Sequence, residues 1–243
     1  MKKVLLTILA AIAVVGMVSC NKDDNNKGGK KGKTTTEVNI KIDGDLADWA
    51  DVPVGAEVSE DTDEARAALL TLKAGADSKN LYIYFEAQLE EDQASAPIDI
   101  FINADGDTST GFSSWLWSEV GWEFLLESET GCLADANTVR DMDDMSIYKA
   151  KTWQDAAGEQ LDGWGTGAEM EQLELSGFCT SAGKVVNGIA FVEIAIERGA
   201  INARTKGSLG LGVEFHSATW GDIGMLPIGT TTGEVGVMEV ALP

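Results

Sequence analysis

The sequence predicts an all-β protein, an antiparallel β-sandwich of jelly-roll type, and three observations carry that expectation. Short runs in which apolar and polar residues alternate recur along the chain, and a period of two is what a half-buried strand requires. Segments rich in Gly, Asp, Asn and Ser, the residues that turns favour, separate these runs. Convincing amphipathic helices are missing, and without them parallel strands lack their crossovers.

Taken in order, residues 38–42 (VNIKI), 69–73 and 81–87 (LYIYFEA) read as strands, with turn-rich 74–80 between the last two. Residues 98–102 (IDIFI) form the next, followed by turn-rich 103–111 and by strands at 122–127 (WEFLLE) and 147–150. Late strands are read at 188–196, 209–216 and 236–242, and the best helical candidate is a turn or two around 197–201. The Gly-rich, polar stretch 155–167 is expected to be a long loop inside the domain. No fixed-period repeat and no second domain boundary is evident.

The start of the chain has a different character. Met1, Lys2 and Lys3 precede an apolar run over 4–18, then Ser19-Cys20. A basic start, a short apolar stretch and a small residue before the cut are the parts of a secretory signal, and the run is short for a spanning helix. Met17-Val18-Ser19-Cys20 resembles the lipobox of bacterial lipoproteins, with Met where Leu is usual. The resemblance implies that 1–19 are a signal peptide and that Cys20 carries acyl chains such as palmitate. Each buried methylene would contribute about 0.8 kcal/mol to membrane anchoring. Lys22-Asp23-Asp24 resembles the acidic export tag of Bacteroidetes lipoproteins, which implies the outer membrane and the cell surface. It reads equally well as part of a plain tether. Residues 20–36 form the acylated Cys and a flexible linker, since 21–36 contain no apolar residue, and 37–243 form the sandwich domain.

Formal net charge is −22, and −24 once Lys2 and Lys3 leave with the signal. So much negative charge repels phosphate backbones, which excludes nucleic acid as an expected partner. It also supplies carboxylates for calcium. Asn103, Asp105 and Asp107 alternate around Gly106, with Thr108 beside them, an oxygen cluster that suits a structural calcium. Asp and Gly are equally the ordinary residues of a tight turn, and Ser114 stands where an EF-hand would need Glu. Cys132 and Cys179 are open to one disulfide or to two buried thiols.

The single histidine, His216, excludes a His-rich zinc centre, and its alternation with Glu214 on a strand reads as structural rather than as a base. The chain has no nucleophile elbow and no phosphate-binding Gly loop, so it is read as non-enzymatic. Trp49, at the end of the segment 42–49, and Trp122, inside a strand, are expected in the core, because the domain must bury its large aromatics. Trp115 and Trp117 lie in a loop-like stretch and, two apart, would face one side if extended. Together with Trp220 beside Gly221 and Asp222, they are the candidates for an exposed sugar platform. Trp153 and Trp164 also neighbour Gly- and Asp-rich turns. Such a platform stacks flat rings on the apolar face of a pyranose while polar neighbours take its hydroxyls.

Several segments, in order, resemble family 9 carbohydrate-binding modules. Residues 42–49 (IDGDLADW) resemble the opening "I-D-G-x-x-x-x-W"; 80–85 (NLYIYF) match the "N-L-Y" strand; 100–112 resemble the "D-x-D-…-T-G" loop, with Asn103 in place of its first Asp. Residues 121–127 resemble the strand after it, and 193–196 (EIAI) the late "E-hydrophobic-x-hydrophobic" strand, while 130–184 stay unaligned. The resemblance implies a sandwich fold, a glycan ligand, structural calcium and a late aromatic near Trp220. The expected protein is a lipid-anchored surface receptor that binds a glycan through Trp115, Trp117 and Trp220. The alternative is a structural or interaction subunit of a surface complex that binds no sugar.

Overall fold

All six residues of Ile98–Asn103 are buried, which a strand can achieve only if both faces of its sheet are covered. The computed structural model describes residues 38–59, 62–91, 93, 95–165, 167–203, 206–228 and 236–243. The segments expected as signal peptide (1–19), acylated Cys20 and linker (to residue 36) lie outside the described residues.

The strands are, in chain order, β1 (Ala56–Glu57), β2 (Leu69–Ala76), β3 (Asn80–Gln88), β4 (Ile98–Asn103), β5 (Phe124–Ser128), β6 (Leu133–Asp135) and β7 (Thr138–Val139). They continue with β8 (Ser146–Thr152), β9 (Glu169–Gln172), β10 (Cys179–Val186), β11 (Ile189–Glu197), β12 (Gly207–His216), β13 (Asp222–Leu226) and β14 (Met238–Leu242). One sheet runs β1-β2-β3-β11-β10, and the other β13-β12-β4-β5-β8-β9 with β14 also on β12. Their strand pairings are antiparallel throughout. The helical pieces among the described residues are two short 3₁₀ turns, Leu46–Trp49 and Glu64–Arg66. This is the all-β sandwich the alternating pattern predicts.

Between the sheets, Leu72, Ile83, Phe85, Val192 and Ile194 share one apolar cluster with Ile98, Ile100, Ile102, Leu126 and Val213. Phe85 and Phe215 meet across the gap with ring centroids 6.3 Å apart. Truncating either ring to Ala should cost about 3–5 kcal/mol, the usual toll of an aromatic cavity.

Residues 38–42, expected as a strand, pair with no strand among the described residues. Their apolar side chains instead cover the outer face of the first sheet, where Val38, Ile40 and Ile42 pack with Trp49, Tyr82 and Tyr84. The alternation is genuine, but it serves a strap lying on a sheet rather than a rung within it. Residues 198–202 likewise form turns rather than helix, with Asn202 at φ 44°.

Glu193 ties the strap down. It is fully buried on β11, where its Oε1 accepts from the Asp43 and Gly44 amides at 2.7 and 2.6 Å. Its Oε2 accepts from the Trp49 indole at 3.0 Å. Trp49 in turn stacks on Tyr84 at 5.4 Å, and its carbonyl accepts from Lys73 Nζ at 2.9 Å. One carboxylate thus joins the 42–49 segment to a strand nearly 150 residues later. Glu193→Ala should cost about 3 kcal/mol, since each buried donor left unpaired costs roughly 1–3 kcal/mol. Glu193→Gln should also destabilise, because its amide nitrogen cannot accept from the donors facing it. Denaturant titration followed by tryptophan fluorescence measures both, and an unchanged midpoint would show that the clamp carries no stability.

Candidate functional site

The second sheet has two faces of different chemistry. Ile98, Ile100 and Ile102 of β4 turn to the inter-sheet core, so Asp99, Phe101 and Asn103 turn away from it. On β12 the partner of Asp99 is Glu214, and on β5 it is Glu127. Three carboxylates therefore stand directly opposite one another across three adjacent strands. Like charges so placed oppose sheet formation, which makes the row conspicuous.

Loops roof half of this face. The excursion between β4 and β5 lays Phe112, Leu116, Trp117, Val120 and Trp122 over Phe101 and Leu125, forming a second apolar cluster. The other half stays open as a hollow of about 390 Å³. It is lined by the buried Asp99 and His216, by Glu127 and the exposed Asp222, and by Trp115, Tyr148, Trp164 and Trp220. The three indoles are each close to half exposed, at 47%, 47% and 44%.

Each ring is set by a local turn. Ser114 Oγ accepts from the amides of Leu116 and Trp117 at 3.3 and 3.0 Å, bending the chain tightly. Trp115 consequently points to the hollow, edge-on to Phe101 with centroids 6.2 Å apart. Trp117 goes the other way. It is 3% exposed, its indole donates to the Pro227 carbonyl at 2.9 Å, and its ring lies over Gly212, where a Cβ would come within 3.0 Å. Trp117 is thus corrected from platform to core, because residues 113–118 turn instead of running extended.

Trp164 follows an Asx turn in which Asp162 Oδ1 accepts from the amides of Trp164 and Gly165, both at 3.2 Å. It stands edge-on to Tyr148 at 4.9 Å. Trp220 sits in the β12–β13 turn at φ 65°, a left-handed conformation costly for a large side chain, on the order of 1–3 kcal/mol. Ser217 closes that turn, its Oγ accepting from the Gly221 amide at 2.9 Å, and the Trp220 ring lies 5.2 Å from His216.

The acidic lining of the hollow is electrostatically strained. His216 Nε2 lies 3.4 Å from Asp99 Oδ2, while Nδ1 lies 3.5 Å from Asp222 Oδ1 and 4.0 Å from Glu214 Oε1. Burial pushes the Asp99 carboxyl above its ordinary range, with His216 opposing. Burial first, and then Asp222 and Asp99, hold Glu214 up at about 10, with the Trp115 side chain opposing. Glu127 is raised to about 7 by burial and then by Asp99 and Glu129.

A larger hollow of about 500 Å³ lies beside Glu123, Lys149, Lys151 and Glu171, but Trp153 is its one tryptophan wall. The two sites expected from acidic and cysteine spacing lie elsewhere. Asn103 Nδ2 donates to the carbonyls of Asp107 and Gly121 at 3.0 and 2.8 Å. Asp105 accepts from the Asp107 amide and Thr110 hydroxyl, and Asp107 from the Ser109 amide and hydroxyl. Asn103 Oδ1 is buried without a hydrogen-bond partner among the described residues, which fits a hard-cation ligand. Cys132 and Cys179 are free thiols, both buried in the main core and pushed up to about 12 by that burial. Of the two alternatives left open by spacing, the structure holds the pair of thiols.

Sequence reasoning put Trp115 and Trp220 in the platform, noted Trp164 only as a neighbour of turns, and missed Tyr148, Asp99 and Glu127. Asp99 and Glu214 had left a trace: each is a carboxylate inside an otherwise apolar strand, IDIFI and GVEFH, where acids are rare unless they are used.

Glu127 and Glu214 both keep a proton to higher pH in the folded protein than in the unfolded chain. Their contribution to stability is full below about pH 4.5 and is lost as pH rises through about 7 for Glu127 and about 10 for Glu214. Melting temperature should therefore fall between about pH 5 and about pH 9, and less steeply in Glu214→Gln, which stays neutral throughout. A variant as steep as the parent would show that Glu214 does not carry the slope. No protein-family model matches the chain and no curated protein does either, so the geometry alone carries the reading that follows.

Proposed function

We propose that this protein is a non-catalytic glycan receptor of the cell envelope, holding its ligand in the hollow between Trp115, Trp164 and Trp220. One observation carries the reading: three half-exposed indoles and Tyr148 share one hollow with carboxylates. A pyranose needs that combination, flat apolar faces for its C–H side and acceptors for its hydroxyls. Carboxyl oxygens accept hydrogen bonds from such donors. The volume, about 390 Å³, falls within the usual 300–1,000 Å³ of small-ligand sites. Strained backbone at Trp220 supports the same reading, since a large residue in a left-handed turn is retained where its ring has a use.

In this reading the signal peptide and the acylated Cys20 carry the domain to the outer membrane, facing outward, as a family 9-like module on a tether. Calcium at Asn103, Asp105 and Asp107 would brace the loop that bears Trp115. An interaction subunit binding no sugar is the rival, and a flat apolar surface would suit it better than rings around a polar hollow.

The full chain, screened on plant, host and microbial glycans in calcium and again in chelator, should bind a discrete set. Trp164→Ala and Trp220→Ala should each weaken the best ligand by at least about tenfold, roughly 1.4 kcal/mol. Silence across the array would set the glycan reading aside in favour of a protein partner.

A further inference from the structure

Asp99, Glu214 and His216 each offer a ligand atom, and these atoms all lie within 4.8 Å of one another. The three side chains are 3%, 0% and 3% exposed. A cluster of acids alone would mean little, but here the buried groups meet at 3.4–4.0 Å, too far for good hydrogen bonds. Asp99 Oδ1, both oxygens of Glu214 and both nitrogens of His216 make no hydrogen bond among the described residues. Buried polar groups are nearly always satisfied by close hydrogen bonds, and polar groups kept from water without them are costly. Something that accepts lone pairs from both carboxylates and from an imidazole would satisfy this set. Two carboxylate oxygens and an imidazole nitrogen converging within 4.8 Å form a donor set of the kind that divalent transition-metal ions take.

The geometry points to a divalent metal ion held by Asp99, Glu214 and a ring nitrogen of His216, with Asp222 beside the imidazole at its Nδ1 edge. Asp222 Oδ1 stands 3.5 Å from Nδ1, where a carboxylate orients a metal-bound histidine and sets its tautomer. The two carboxylates balance the ion's charge. One nitrogen among oxygens suits Zn²⁺, Mn²⁺ or Co²⁺; Ca²⁺ prefers six to eight oxygens. Asp99 and His216 both line the hollow, so an ion can enter from solvent without unfolding the sheet. The site is separate from the Asn103–Asp105–Asp107 cluster and does not depend on the glycan reading, since it is read with metal alone.

The test is calorimetry of the chelator-stripped full chain with Zn²⁺ and with Mn²⁺, together with NMR on the Co²⁺-loaded protein. One ion per chain is expected. Because His216 is the single histidine, Co²⁺ should shift one set of imidazole resonances far outside the usual range, a readout that needs no mutation. Asp99→Asn and Glu214→Gln, both isosteric, should weaken binding more than about 100-fold, and Asp222→Asn by about 10–100-fold, the usual loss for an outer partner. No stoichiometric uptake, unshifted imidazole resonances, or binding abolished by Asp105→Asn but not by Asp99→Asn would each overturn the proposal. Loss of metal with glycan binding intact, or the reverse, separates this site from the glycan reading.

Discussion

The register of β4 between β12 and β5 is the constraint on which the rest of the molecule depends. Side chains alternate across a strand, so holding Ile98, Ile100 and Ile102 in the inter-sheet core forces Asp99, Phe101 and Asn103 onto the opposite face. The same holds for Phe124 and Leu126 against Leu125 and Glu127, and for Val213 and Phe215 against Gly212 and Glu214. A slip of one residue would bury the acid row between the sheets and expel the isoleucines. The hydrophobic core thus fixes the site as firmly as it fixes the fold.

Each sheet also has an outer face, and the two are treated differently. On the first sheet, the 38–49 strap and Trp49 close the surface, held by Glu193 with its three hydrogen bonds. On the second, the roof of aromatic residues from the β4–β5 excursion stops partway. Where it stops, the chain presents carboxylates, an imidazole and three half-exposed indoles. Rigid strands carry the polar groups and short, tightly turned loops carry the rings, an arrangement that holds a binding surface in place.

That surface is built at the expense of stability. Opposed carboxylates on adjacent strands, a buried histidine between acids and a tryptophan at positive φ are each unfavourable alone. A protein tolerates such features when a large core can offset them, and here the inter-sheet cluster spans both sheets. The proposed glycan and metal ion would use different groups around one hollow. The exposed rings meet the ligand, and the buried carboxylates meet the ion.

Much of the architecture was legible because strand burial is a local pattern. The alternation at 81–87, 98–102 and 209–216 marked strands that the structure contains, and Trp49 and Trp122 are buried as their contexts implied. The short strands β1, β6, β7 and β9 were missed, and so were β10 and β13, since neither TSAGKVV nor DIGML alternates cleanly. The strap at 38–42 was misread because a segment lying on a sheet shows the same period as a strand within one. Trp115 and Trp117, two apart in sequence, part company because Ser114 bends the chain between them. Taken by itself, then, the sequence determined an acidic all-β sandwich and supplied the aromatic and acidic residues of a site, because composition and period are properties of neighbouring residues. Only the tertiary structure decided which of them meet. Asp99, Glu127, Tyr148, Trp164, Glu214 and Trp220 converge through strand order and register, which arise from pairings across long stretches of chain that no local pattern encodes.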